Sequence, residues 1–202
     1  MKDLKGLFDT IRSLYGAAAG TDLEEDEIWK EFGTRCAVMV LDSSGFTSGT
    51  RSSGIISYLS CIVRLRDLVQ PILTRHGCTG SRFATDNAYA EFHTAEKALA
   101  ASCDIQRTIQ SSGIEVSEGC AFGVCIGIGY GDVLRSQSEG VFGDEMNLAS
   151  KLGEDLAGRG EILLTRAAFE AIPEACREDF VEKRSTVSGV EFTYYMASVQ
   201  SR

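Results

Sequence analysis

CAVMVLDSSGFT, residues 36–47, is an apolar run that ends on a carboxylate and a short serine-glycine stretch. From Cys36 to Leu41 there is no charge, and β-branched or bulky side chains dominate. Such a run reads as a strand buried on both faces. Asp42 then stands at the strand's carboxyl end. Ser43, Ser44 and Gly45 read as a tight turn with free backbone N–H groups. In sheets covered by helices, ligands bind at such strand ends. A carboxylate there can hold Mg²⁺, and amide groups beyond it can hold phosphate oxygens. Asp followed by Ser-Gly is also the composition of an ordinary turn, so the stretch needs company before it means chemistry.

Company comes from SRFATDNAYAEF, residues 81–92. This reads as a hairpin with a two-residue turn at Asp86-Asn87. Asp86 would then sit at a hairpin tip, beyond a long amphipathic segment that separates it from Asp42. Two carboxylates on adjacent strand ends make an oxygen-rich site for hard divalent cations. Two metals in such a site are an arrangement that moves phosphoryl and nucleotidyl groups. A third stretch, VFGDEMNLASKLGE at residues 141–154, opens a helix at Gly143-Asp144. Asn147 and Lys151, four apart, share one face of it.

With all three in view, the chain resembles the class III nucleotide cyclase catalytic domains. LDSSGFT is similar to their D-x-x-GFT, RFATD to their K-x-x-GD hairpin, and FGDEMNLASKL to their G-D/N-x-VN-x-A-S-R-L helix. The resemblance runs from about Thr34 to Tyr195, in the family's order. It implies that Asp42 and Asp86 bind two Mg²⁺ or Mn²⁺ ions, and that the segment Ser43, Ser44, Gly45, Phe46 and Thr47 contacts phosphates. It further implies that Asn147 orients the ribose, that Lys151 stabilises charge in the transition state, and that Arg82 and Gly140 border the base. In this family the metal aspartates come from one subunit and the Asn and Arg from the other. A chain carrying both sets implies a homodimer with composite sites.

Departures from the motifs are informative. Lys151 stands for the usual Arg and lacks its planar fork. Thr85 replaces the Gly before the second aspartate. Ser188-Gly189 stands where many members have Lys-Gly. At the base, Arg82 offers only donors, which suits carbonyl acceptors such as those of uracil or the O6/N7 edge of guanine. Gly140 supplies no side chain, so the adenine pattern is absent, and Phe83 or Tyr130 is expected to fill the space. The short chain resembles the uridylate cyclases of bacterial Pycsar antiphage systems, which implies cyclic UMP made from UTP. The alternatives are an adenylate or guanylate cyclase, and a catalytically silent cyclase-homology domain that binds nucleotide or a partner.

The rest of the chain fits this reading. Its 202 residues, 44% hydrophobic, support one domain at 33–202 with a helical extension at 1–32. A net charge of −9 and pI near 4.8 argue against nucleic acid and against stable association with an anionic membrane. In the extension, Leu4, Leu7, Phe8, Ile11, Leu14 and Tyr15 make one apolar stripe, expected to pack on the core or on a partner subunit. Thr21 and Glu24 read as a capping box. No signal peptide or spanning run is seen, and the seven cysteines lack paired spacing, so a cytoplasmic protein with reduced thiols such as Cys36, Cys103 and Cys125 is expected. Helices are predicted over 54–75, with Pro71 kinking or ending the first, over 95–110 and over 167–172. Strands are predicted over 121–128, with 132–134 starting another or continuing it, and over 161–165. The fold class is therefore α+β, a ferredoxin-like βαββαβ core with an added C-terminal hairpin that includes Phe192 to Met196.

Overall fold

The structure, a computed structural model, describes residues 6–14, 22–44, 54–117, 119–187 and 190–197. Strand β1 (Gly33–Ser44) lies inside the main sheet, antiparallel to β3 (Asn87–Phe92) on one side and to β6 (Gly123–Ser136) on the other. Its apolar run is sealed: no residue from Ala37 to Leu41 is more than 1% exposed. The side chains alternate between two cores. Ala37, Met39 and Leu41 join the larger one, built with α3 (Ile55–Arg75) and α4 (Ala95–Ser111). Cys36, Val38 and Val40 join a smaller one on the opposite face.

The main sheet runs β2-β3-β1-β6-β8-β10-β9, where β2 is Gly80–Ala84, β8 Ile162–Thr165, β9 Phe180–Val187 and β10 Val190–Ala197. A short β7 (Gly140–Phe142) pairs with β6, and β4 (Glu115–Ser117) with β5 (Cys120–Ala121). The expected βαββαβ core is β1-α3-β2-β3-α4-β6, and the β9–β10 hairpin extends it through β8. Helix α6 (Arg166–Ala171) adds Ala168 to the larger core. Thr94 caps α4 by accepting the Lys97 N–H. Before the sheet, α1 (Leu7–Leu14) and α2 (Asp22–Phe32) bury Leu7 and Ile28, and Phe8 packs its ring on Phe142 at 5.4 Å. Leu4, Tyr15, Thr21 and Ser188-Gly189 lie outside the described residues. No described helix is long and apolar enough to cross a membrane.

Helix α3 runs to Arg75, the expected end, and does not stop at Pro71; Pro71 and Asp67 are both on the exposed side, where water can satisfy the carbonyl that loses its partner. Residues 132–134 continue the preceding strand within the fourteen-residue β6. Two sequence expectations shift. The hairpin turn is Thr85-Asp86 rather than Asp86-Asn87, because Ala88, Ala90 and Phe92 must all face the core and this fixes Ala84 opposite Asn87. Ser43 and Ser44 are strand residues opposite Val124 and Gly123, so no turn begins at Ser43.

Helix α5 (Asp144–Ser150) covers the smaller core and continues as a π-helical turn, Lys151–Leu156. It rests almost backbone to backbone on β6. A Cβ at Gly127 would lie 2.1 Å from the Ala149 carbonyl oxygen, and one at Gly129 2.4 Å from that of Glu145. Gly127→Ala is therefore expected to lift α5 off the sheet and lower stability by about 1–3 kcal/mol, read from urea unfolding; an unchanged midpoint would show that the helix relocates freely.

Candidate active site

Alternation along β1 sends Asp42 to the α5 face and Ser43 to the α3 face. Across the gap, the Thr85-Asp86 turn brings the second carboxylate alongside. Ser43 Oγ donates to Asp86 Oδ2 at 3.2 Å and shares a 2.5 Å hydrogen bond with the buried Tyr58 hydroxyl from α3. Thr85 Oγ1 has two acceptors for its one proton, the Ala84 carbonyl at 2.7 Å and the other Asp86 oxygen at 3.0 Å. Thr85 itself has φ +51, the left-handed region, where a β-branched residue is strained by about 1–2 kcal/mol. The Arg66 guanidinium donates to its carbonyl at 2.6 Å.

Asp42 is pushed up to about 6, first by burial, then by the nearby Asp86 and Glu154 carboxylates; the Ser43 amide opposes the shift. None of the ion pairs among the described residues includes Asp42 or Asp86. Two half-shielded carboxylates without a protein cation fit a hard divalent ion. Among the described residues no third His, Cys, Asp or Glu completes a ligand cage, so water and substrate oxygens would supply the other ligands, as suits Mg²⁺. Gly45, Phe46 and Thr47 lie outside the described residues. Ser44 Oγ donates to the Gly123 carbonyl and accepts from Arg159 Nε, each at 3.1 Å.

Asn147 is exposed on α5 and Lys151 half-buried at the start of the π turn. No described hydrogen bond or ion pair joins either to the aspartate pair. Glu154, one turn on, accepts from Asn87 Nδ2 at 3.2 Å and the Tyr89 hydroxyl at 3.3 Å. Residue type alone did not single it out.

The two residues expected at the base do come together. A Cβ at Gly140 would stand 3.8 Å from Arg82 Nη2. Both line a cavity of about 340 Å³ walled by Tyr89, Phe142 and Met146. Arg82 lies over the Tyr89 ring at 5.0 Å. Deeper in, Glu91 pairs with Arg135 at 2.7 Å. Phe83 and Tyr130 are not the wall: both pack on the larger core. Phe83 neighbours Arg82 along β2 and so points to the opposite face. Tyr89 and Glu91 were findable as the outward positions of an alternating strand whose Ala88, Ala90 and Phe92 are apolar.

Solved structures of cyclase domains share this architecture. The chain has the class III cyclase catalytic fold. It is similar to an adenylate/guanylate cyclase/hydrolase from Silicibacter pomeroyi, at 21% identity and TM-score 0.70, over 82% of this chain and 96% of that one. A guanylate cyclase domain from Catenaria anguillulae in complex with GTP aligns at 17% identity and TM-score 0.64, over 83% and 97%. Adenylate cyclases from Trypanosoma brucei align at 14% identity and TM-score 0.67, over 83% and 92%. No family model matches the chain, and no curated protein matches it. In terms of the cyclase fold, the aspartate pair lies at the β1 end and the β2–β3 tip, and Asn147 and Lys151 on the helix over the opposite sheet face from α3 and α4.

An acid whose folded pKa is raised penalises the folded state once ionised. Metal-free protein should therefore lose stability as pH rises from about 4 to about 6 and keep the penalty above that. Asp42→Asn should raise the metal-free melting temperature at pH 7.5 by about 2–4 °C and leave it unchanged near pH 4. An equal change at both pH values would remove the electrostatic explanation.

Proposed function

We propose that the chain is a metal-dependent nucleotide cyclase that converts UTP to 3′,5′-cyclic UMP and pyrophosphate. The observation that carries this is the half-buried pair Asp42 and Asp86, uncompensated by any described protein cation, on a fold otherwise found in adenylate and guanylate cyclases. Two divalent ions held by that pair would acidify the 3′-hydroxyl and neutralise the triphosphate. The chain's own residues do the rest. Asn147, exposed on α5, orients the ribose. The Lys151 ammonium meets charge developing at phosphorus as a point charge rather than a fork. By the resemblance, the segment Ser43 to Thr47 supplies backbone N–H groups for the phosphates. As the resemblance implies, each site takes the pair from one subunit and the helix from its partner in a homodimer.

Uracil is favoured by Arg82, whose donors match the O4 or O2 carbonyls, and by the Tyr89, Phe142 and Met146 wall, which narrows the space left by Gly140. A second reading, GTP, is favoured by Glu91 on the same wall, an acceptor for the guanine amino group. The resemblance noted in the sequence extends the proposal to a cytoplasmic second messenger of bacterial antiviral defence.

Incubation with each of the four triphosphates and Mn²⁺, with products identified by mass, tests the activity; cyclic AMP as the main product would end the uridylate reading. Asp42→Ala and Asn147→Ala chains should each be inactive, and mixing them should restore turnover through one intact composite site. No recovery after confirmed subunit exchange would count against the shared site. Arg82→Ala should lower kcat/KM for UTP by about one to two orders of magnitude, from a contact of roughly 1–3 kcal/mol, with smaller losses on other nucleotides. Equal losses on all four would move Arg82 from base reading to general attraction of phosphate.

A further inference from the structure

We propose that Ser43, Tyr58 and Thr85 form a hydroxyl clamp that presets the Asp86 carboxylate to receive a divalent cation. The inference rests on the reading of Asp42 and Asp86 as a metal-holding pair and adds the positioning residues behind it.

Proton counting fixes the direction of the network. An ionised carboxylate only accepts, so Ser43 Oγ gives its proton to Asp86 Oδ2. Ser43 must then accept in its short contact with Tyr58, and the phenol is the donor. Ser43 is 3% exposed and Tyr58 0%, so water does not compete for either bond. On the other side, the Thr85 hydroxyl stands 3.0 Å from Asp86 Oδ1 and 2.7 Å from the Ala84 carbonyl, so its single proton is shared between these two acceptors. Each carboxylate oxygen therefore has a hydroxyl beside it and a lone pair left for a cation. Neutral hydroxyls orient the group without cancelling its charge, which a lysine or arginine in the same place would do.

Thr85 is the more telling member. Its backbone stands at φ +51, where glycine fits and a β-branched residue is strained. Strain of this kind persists where surrounding contacts over-determine it, and it gathers at functional sites. Here three contacts hold it: Arg66 on the carbonyl, and the Ala84 carbonyl and Asp86 on the hydroxyl. A glycine would relieve the backbone and lose the hydroxyl. A residue kept only for the turn would favour glycine; a residue kept for Asp86 has reason to be threonine.

Groups behind a metal ligand typically change metal affinity by about 10–100-fold when removed. The experiment is titration of the full chain with MnCl₂ alone, following free Mn²⁺ by electron paramagnetic resonance, with a thermal melt of each variant. Thr85→Gly should melt at or above the wild-type temperature yet bind Mn²⁺ about tenfold more weakly; a merely structural threonine would not separate the two readouts. Ser43→Ala and Tyr58→Phe should each weaken Mn²⁺ by about 10–100-fold. Their combination should match Ser43→Ala alone, because Tyr58 acts through Ser43. Ser43→Thr, which keeps the hydroxyl, should recover binding. If Ser43→Ala does not fold, Tyr58→Phe and Thr85→Gly still decide. Asp86→Ala separates the two levels: if it binds Mn²⁺ as well as wild type, the metal reading falls and the clamp with it. If Asp86→Ala loses Mn²⁺ while Thr85→Gly, Ser43→Ala and Tyr58→Phe keep wild-type affinity, the metal reading stands and the clamp is overturned.

Discussion

The seat of α5 on β6 is the contact on which the rest depends. Gly127 and Gly129 let carbonyls of the helix approach the strand where any side chain would collide, and Gly153 repeats the arrangement against the Val40 carbonyl. A helix seated on backbone has little freedom to roll, because packed atoms rather than adaptable side chains set its height. Glu145 adds a second anchor: one of its carboxylate oxygens accepts from the Tyr130 amide at 2.9 Å and the Thr165 hydroxyl at 2.6 Å. Asn147 and Lys151 thus inherit a fixed position relative to the sheet. The π turn that follows, a feature often found at functional sites, carries Glu154 back toward Asn87 and Tyr89.

The same seat explains an electrostatic tension. Asp42 ends a sealed apolar run, on the face that α5 covers, and so shares a half-buried space with Asp86 and Glu154. Folding alone gains nothing from crowding like charges there. The free-energy penalty makes sense for a site whose partner arrives from outside, since a cation converts mutual repulsion into shared attraction. Cys125, opposite Asp42 on β6, shows the bland side of this environment: burial first, then the Asp42 carboxylate, pushes its thiol up to about 11, which keeps it protonated and unreactive.

What the sequence revealed, and what it hid, follows from the range of the interactions. Strand β1 and Asp42 were legible because an uncharged run ending on a carboxylate is a local signal. The hairpin was legible too, but its turn slipped by one residue: Asp-Asn has turn chemistry, and the burial of three alternate apolar residues on β3 outweighed it. Pro71 left two outcomes open in the sequence, and the helix does not stop there because the orphaned carbonyl lies on the exposed side. Phe83 was misassigned by adjacency; in a strand, the neighbour in sequence is the side chain on the other face. The Ser43–Tyr58–Asp86 network could not be read at all, because it joins three elements whose register only the assembled sheet defines.

Strands β2 and β9 form the two rims of the main sheet. β2 has five residues. β9 presents Glu182, Lys183 and Arg184 in succession, all exposed. A short rim and a charged rim both discourage a stranger's strand from adding to the ladder. The protein can therefore expose the ends of a large β-sheet to a crowded solution without inviting fibrous growth, a safeguard written into the least conspicuous strands of the molecule.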